Sequence, residues 1–229
     1  MMDQVKQEVG ERAAQFVEDG MLIGLGTGST AKYFIEALIE RVKKEHLNIE
    51  VVATSKESEI LAKEGGLKFR DINQITKIDL TLDGADEIDL KSFSLIKGGG
   101  GALTREKIVA DMSEKMIVLV DETKLVDRLG MHWKLPVEIV AFGRDSIKHK
   151  LEKLGYFGSY RQKEDELFFT DNGGVILDIE IPSDKKPETM HEEIKKVTGV
   201  IETGFFFDLA TAAIVGYSNG DVKVFDKLS

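Results

Sequence analysis

The 229-residue sequence contains no cysteine. Disulfides, thiolate nucleophiles and cysteine-ligated metals are therefore excluded. Basic residues are the minority, with Lys+Arg 31 against Asp+Glu 41 and a formal net charge of -10. An acidic surface argues against non-specific association with nucleic acid or membranes. It leaves room for a local lysine–glycine pocket that holds a phosphate. No apolar run approaches the roughly 20 residues needed to span a bilayer. The opening stretch MMDQVKQEVGERAAQFV is charged throughout and lacks the apolar core of a signal peptide. A soluble, cytoplasmic protein is expected. The histidines, His46, His132, His149 and His191, are scattered without metal-ligand or triad spacing, which favours surface positions. There is no internal repeat or low-complexity tract. With 42% hydrophobic residues the chain can bury a real core, as one large domain or one domain plus a smaller one.

Apolar periodicity predicts alternating helices and strands in the first half. Val5, Val9, Ala13, Phe16 and Val17 form one helical stripe. Ala31, Phe34, Ile35, Leu38, Ile39 and Val42 form another. Short apolar runs at Met21 to Gly26, Ile49 to Thr54, Leu80 to Asp83 and Met116 to Val120 read as buried strands, with helices over Lys56 to Lys63 and Leu103 to Met112. Buried strands alternating with helices predict an α/β fold: a Rossmann-like, open, mostly parallel sheet with helices on both faces. The pattern changes near Trp133, which reads as a packing residue at a domain junction. Helices over Ser146 to Leu154 and Glu188 to Val197 then bracket Leu167 to Thr170 and Val175 to Ile181, a hairpin pattern around Asp171-Asn172-Gly173-Gly174. A small inserted α+β domain of ferredoxin-like kind is expected over 133–206. Residues 1–132 and 207–229 then form the larger domain, closed by a hairpin around Ser218-Asn219-Gly220-Asp221.

Gly24-Leu25-Gly26-Thr27-Gly28-Ser29-Thr30 follows the first strand and opens a helix. Peptide N–H groups at a helix N-terminus bind anions well, and hydroxyls add donors. The dinucleotide fingerprint needs glycine where this chain has Ser29, and the acidic residue expected about 20 positions on is missing. The Gly-Lys-Ser/Thr of a Walker loop is also absent. A small phosphorylated or hydroxylated ligand fits better than a nucleotide; the plainer alternative is a tight turn capped by Ser29 or Thr30.

The stretch from Asp83 to Glu106, DGADEIDLKSFSLIKGGGGALTRE, holds more polar and glycine residues than packing requires. Asp83 and Asp86 stand at the C-terminal end of a predicted parallel strand, the edge that holds ligands in open α/β sheets. Lys97 leads into Gly98 to Gly101, which suggests a backbone approaching a ligand closely. The alternatives are an Asx turn at Asp83 and a solvated Lys97 beside a flexible loop. Asp-x-x-Asp-Glu does not match calcium-loop spacing, and no metal site is expected. On a helical wheel Glu106 falls in the apolar arc with Leu103, Ala110, Ala102 and Val109, away from Arg105 and Lys107. Partial burial would raise its pKa and make it a better base near neutral pH. Otherwise it sits at the helix edge, snorkelling or paired to Lys97 or Lys124. Lys124 follows the strand MIVLV and reads to the same sheet edge.

Taken together, GLGTGSTA (24–31), Thr54-Ser55, DGADEID (83–89), KGGGGALTREKI (97–108) and DETK (121–124) resemble ribose-5-phosphate isomerase, type A, over essentially the whole chain. The resemblance implies interconversion of D-ribose 5-phosphate and D-ribulose 5-phosphate through an enediolate, within the non-oxidative pentose phosphate pathway and with no metal or organic cofactor. It implies Glu106 as general base, with Asp83, Asp86 and Lys97 as further catalytic residues. It implies substrate binding by Thr27, Gly28, Ser29, Thr30, Asp83, Gly84, Ala85, Asp86, Lys97, Gly98, Gly99, Gly100 and Lys124, together with Lys6 in the first helix. A homodimer or homotetramer follows from the same resemblance. Two rivals share the fold type: a sugar-phosphate sensor, which would carry a DNA-binding segment, and a coenzyme A transferase, which would use the glutamate as a covalent nucleophile.

Overall fold

The computed structural model describes residues 2–227. Residues 1, 228 and 229, the outer limits of the expected division, lie outside the described residues. Helix α1 (Met2–Ala14) is followed by β1 (Leu22–Leu25), α2 (Ser29–Glu45), β2 (Glu50–Ala53), α3 (Lys56–Glu64), β3 (Lys68–Phe69) and β4 (Ile78–Gly84). Next come β5 (Glu87–Asp89), β6 (Ser94–Ile96), α4 (Leu103–Asp111) and β7 (Ser113–Asp121). A second group comprises β8 (Leu135–Ile139), α5 (Arg144–Lys153), β9 (Gly158–Tyr160), β10 (Gln162–Lys163), β11 (Glu166–Leu167), β12 (Val175–Ile179), α6 (Pro187–Lys195) and β13 (Val200–Thr203). The described chain closes with β14 (Phe205–Phe206), β15 (Ala212–Gly216) and β16 (Val222–Asp226).

Seven strands form the main sheet in the order β16-β15-β7-β4-β1-β2-β3. All neighbours are parallel except β15 and β16, the expected closing hairpin. From β1 the chain winds outward to β2 and β3, then returns to place β4 on the other side of β1. This reversal is the topological switch point, and a crevice opens there beyond the carboxyl ends of the strands. Alternation along the strands sends Ile117, Leu119 and Ile214 to one face, where Val9, Ala13, Phe34 and Ile35 of α1 and α2 cover them. Met116, Val118, Val120 and Val215 go to the other face. There they meet Ala110 of α4 and a small sheet of order β14-β6-β5. Strand periodicity of two thus supplies both faces of one buried layer.

The remaining four-stranded sheet has the order β13-β8-β12-β9, entirely antiparallel, with α5 and α6 as its crossovers. That is the ferredoxin-like arrangement. Its core is Leu135, Val137, Ile139, Ile147, Leu151, Leu177, Ile179, Met190 and Ile194. The expected hairpin around Asp171 to Gly174 needs correction. Its arms meet at a single bridge, Phe169 to Val175. Glu166–Leu167 pairs instead with Gln162–Lys163 through Glu164 and Asp165, both at positive φ. The main partners of β12 are β8 and β9. An Asx/Gly turn signal marks a chain reversal and does not by itself choose the strand that pairs.

Among the described residues no helix is long and apolar enough to cross a membrane. His46, His132 and His149 are exposed as expected; His191 is half-buried, with Nδ1 2.7 Å from Thr203 Oγ1.

Candidate active site

The crevice at the switch point holds a cavity of about 260 Å³. Its walls come from the loop after β1, the ends of β4 and β7, the loop from Lys97 to Gly100, the first turn of α4 and the face of α1 at Lys6. Thr27, Gly28, Ser29, Thr30, Gly84, Ala85, Asp86, Lys97, Gly98, Gly99, Gly100, Glu106, Lys124 and Lys6 all line it. Asp83 does not.

Helix α2 begins at Ser29 with Gly28 at its N-cap, at φ 105, and no side chain caps it. The first-turn N–H groups therefore stay available beside the cavity, and the alternative of a turn capped by Ser29 or Thr30 does not hold. Thr27 Oγ1 lies 2.6 Å from Thr54 Oγ1, and Ser58 Oγ donates to Gly26 O at 2.6 Å. These contacts tie the loop to the end of β2 and the start of α3.

Asp83 is wholly buried behind the cavity wall. Its Oδ1 accepts from Thr27 N at 2.9 Å and Gly84 N at 2.7 Å. Its Oδ2 lies 3.0 Å from Lys97 Nζ, an ion contact without the alignment of a full hydrogen bond. The ammonium also donates to Gly84 O and lies 3.4 Å from Glu106 Oε1. Lys97 is thus a buried cation held between two buried carboxylates, not a solvated charge. Burial alone would depress its pKa, but the Asp83 and Glu106 charges outweigh burial and raise it. The expectation that Asp83 meets a ligand directly is revised: the carboxylate faces the lysine and two peptide N–H groups.

Glu106 stands in the first turn of α4 and is buried, as its place on the wheel predicts. One oxygen faces Lys97; the other, Oε2, is buried with no partner among the described residues. Burial pushes its pKa up to about 8, with Asp83 and Asp86 adding to the rise and Lys97 opposing it. Asp86 opens onto the cavity, and Gly99 N donates to its Oδ2 at 2.7 Å. Burial raises the Asp86 pKa as well, against the Gly99 N–H and the charges of Lys97, Lys124 and Arg161.

The glycine run has a steric cause at two points. Gly98 sits at φ 103, where side chains are strained. A Cβ on Gly99 would fall 2.5 Å from Asp86 Oδ1.

Four participants escape the sequence reading. Asp121, at the end of β7, is buried and lines the cavity. The edge rule that marks Lys124 applied to it equally. Trp133 is not a packing residue: it is 38% exposed and lines the cavity, with Lys124 Nζ 4.9 Å from its ring centroid. Glu87 is fully buried and anchors that wall by accepting from the N–H groups of Gly130, His132 and Trp133, the last two at 2.6 and 2.9 Å. Arg161 reaches the glycine loop from the smaller sheet. It lies in a segment of two- and three-residue strands where periodicity carries little signal.

A carbon acid needs a base of matched pKa and fixed donors for the oxygens that gain charge. A buried carboxylate with a free oxygen, an adjoining ammonium and peptide N–H groups around one cavity make up that set. Comparison with known proteins agrees. The sequence profile of the ribose 5-phosphate isomerase A (phosphoriboisomerase A) family matches residues 50–220. Ribose-5-phosphate isomerase A of Bacillus mycoides is 47% identical over 220 residues, covering 96% of this chain and 98% of its own. The solved ribose 5-phosphate isomerase from Plasmodium falciparum superimposes with a TM-score of 0.95 at 36% identity, over 100% of both chains. A solved D-ribose-5-phosphate isomerase in complex with phospho-erythronic acid gives a TM-score of 0.91 at 39% identity, over 98% of both chains. The chain belongs to the ribose 5-phosphate isomerase A family.

Proposed function

We infer that the protein is an aldose–ketose isomerase that interconverts D-ribose 5-phosphate and D-ribulose 5-phosphate through an enediolate, a step of the non-oxidative pentose phosphate pathway. The observation that carries this reading is Glu106: a buried carboxylate with one oxygen on an ammonium and the other unpartnered. Its Oε2 takes the C2 proton of the open-chain aldose and returns it to C1. Lys97 and the peptide N–H groups of the Gly98 to Gly100 loop that Asp86 leaves free hold the charge that develops on O1 and O2. Asp86 faces the sugar hydroxyls and takes part in moving the O1/O2 proton and in ring opening. Asp83 acts one step back, keeping Lys97 charged and in place. The phosphate is assigned to the open N-terminus of α2 at Gly28, Ser29 and Thr30, with Thr27, Lys6 and Lys124 around it. Phospho-erythronic acid, held by the relative named above, supports the direction of this reading. Its carboxylate carries two charged oxygens on one carbon, much as the enediolate carries two on neighbouring carbons.

We further propose that the chain divides into 1–132 with 207–229 and 133–206, that it works in the cytoplasm, and that it assembles as a homodimer or homotetramer. Exposed Phe142 and Phe157 on the smaller part favour a self-contact there.

The deciding assay mixes purified protein with ribose 5-phosphate and EDTA and follows ketose formation. Turnover that survives the chelator is expected. Tight sugar-phosphate binding with no turnover would overturn the isomerase and favour a sensor.

A further inference from the structure

We propose that Arg161 is a positioning residue of the active site, acting from outside the cavity by setting the peptide planes of the Lys97 to Gly100 loop. Its Nη1 donates to Gly98 O at 2.6 Å and to Gly99 O at 3.0 Å. Its Nε and Nη2 grip the carboxylate of Asp178 on β12, with Nε to Oδ2 at 3.0 Å and Nη2 on Oδ1 at 2.5 Å. One guanidinium thus joins a strand of the smaller sheet to two consecutive carbonyls of the active-site loop. Arg161 is not part of the cavity lining.

The consequence lies in peptide geometry. In a trans peptide, C=O and N–H point in opposite directions. Gly98 O shares its plane with Gly99 N–H, and Gly99 O shares its plane with Gly100 N–H. Holding both carbonyls on the guanidinium turns both N–H groups the other way. One of them, Gly99 N–H, meets Asp86 Oδ2 at 2.7 Å. The next, Gly100 N–H, has no acceptor among the described residues, and Gly100 lines the cavity. Glycine has no side chain to bias its planes, so an external grip is what makes this loop a fixed donor array. The Gly101 N–H to Gly98 O turn bond, 2.9 Å, closes the loop but leaves the Gly99–Gly100 plane free to rotate. Arg161 removes that freedom. It also places a positive charge that favours the ionised form of Asp86.

The proposal rests on the isomerase reading for its kinetic test. Arg161→Met and Asp178→Asn should each lower kcat for ribose 5-phosphate, by about 10²-fold for the arginine change, the scale of losing one oxyanion donor. KM should move less than threefold, because the donor acts on charge that develops only in the transition state. Arg161→Lys should not restore kcat, since an ammonium lacks the planar fork that spans two carbonyls and a carboxylate. Guanidinium ion added to Arg161→Ala should recover part of kcat, at concentrations that leave the wild type unaffected. A kcat within twofold of wild type in folded Arg161→Met overturns the proposal. So does a loss that only tracks the unfolded fraction, or full rescue by lysine. Amide hydrogen exchange in the ligand-free protein separates the two readings. Arg161→Met should accelerate exchange at Gly99, whose N–H is held on Asp86 Oδ2, by about tenfold or more, without change in β4, if the loop is released. Accelerated exchange in a protein that shows no isomerase activity would leave the loop assignment standing and remove the isomerase reading. Unchanged exchange at Gly99 would remove the loop assignment.

Discussion

Lys97 Nζ lies 3.4 Å from Glu106 Oε1, and both side chains are withdrawn almost completely from water. A buried ammonium is tolerable only with its counter-charges, and a base this deep is ionisable near neutrality only with the ammonium beside it. Each therefore sets the working state of the other.

Glu106→Gln should cut kcat by at least ~10²-fold, the usual scale of general base catalysis, with native circular dichroism. Because Glu106 works ionised and is pushed up to about 8, wild-type kcat/KM should rise with pH and level off above that value. The same raised pKa means the folded state holds a proton that the unfolded chain releases above its ordinary carboxylate pKa. Stability from this group is then lost as pH climbs from about 4.5 to about 8. Glu106→Gln should flatten that decline, so its Tm at pH 8 should equal or exceed wild type. A Tm well below wild type at pH 8 would contradict the burial account.

Lys97→Met should lower kcat by about 10²–10³-fold and move the pH limb of the residual activity upward, since the charge that favours ionised Glu106 is gone. It should also lower Tm at pH 7, because Asp83 is left buried and uncompensated. Adding Asp83→Asn to Lys97→Met should recover part of that Tm loss without recovering activity. Thermal unfolding of the single and double variants checks the pairing directly.

Gly99→Ala tests the close approach on the cavity side. Its Cβ would meet Asp86 Oδ1 at 2.5 Å, so the carboxylate or the loop must shift. A misplacement on the order of 1 Å at a reacting centre costs about 10²-fold, and kcat/KM should fall on that scale while Tm changes little. Steady-state kinetics beside a melting curve separates the two.

Glu87→Ala should destabilise the fold. It strips the acceptor from three part-buried N–H groups, each costing up to roughly 1–3 kcal/mol where water cannot replace the carboxylate. Urea titration reads the loss. A change below about 1 kcal/mol, the net worth of one ordinary hydrogen bond, would mean the 130–133 turn is held by other contacts.

Much of this arrangement is legible in the residues themselves. The main strands read out because each is a short apolar run buried on both faces. Glu106 reads out because a charged residue inside an apolar arc has few harmless explanations. Asp83 was legible as a site residue but not as one facing inward, because Thr27, whose N–H it accepts, lies 56 positions earlier in the chain. Trp133 and Arg161 fall where local pattern carries no information about the far side of a contact. An aromatic near a boundary looks the same whether it packs or lines a cavity. An arginine among two-residue strands gives no sign that it will reach a loop more than sixty positions earlier.

Trp133 is the only tryptophan in the sequence, and it stands at the cavity with Lys124 against its ring. Ultraviolet excitation at the indole band therefore addresses one fluorophore, and that fluorophore borders the substrate space. A sugar phosphate that draws Lys124 toward itself changes the charge over the ring and hence its emission. The unlabelled wild-type chain carries its own optical gauge of occupancy, usable in stopped flow to separate arrival of the substrate from the proton transfer that follows.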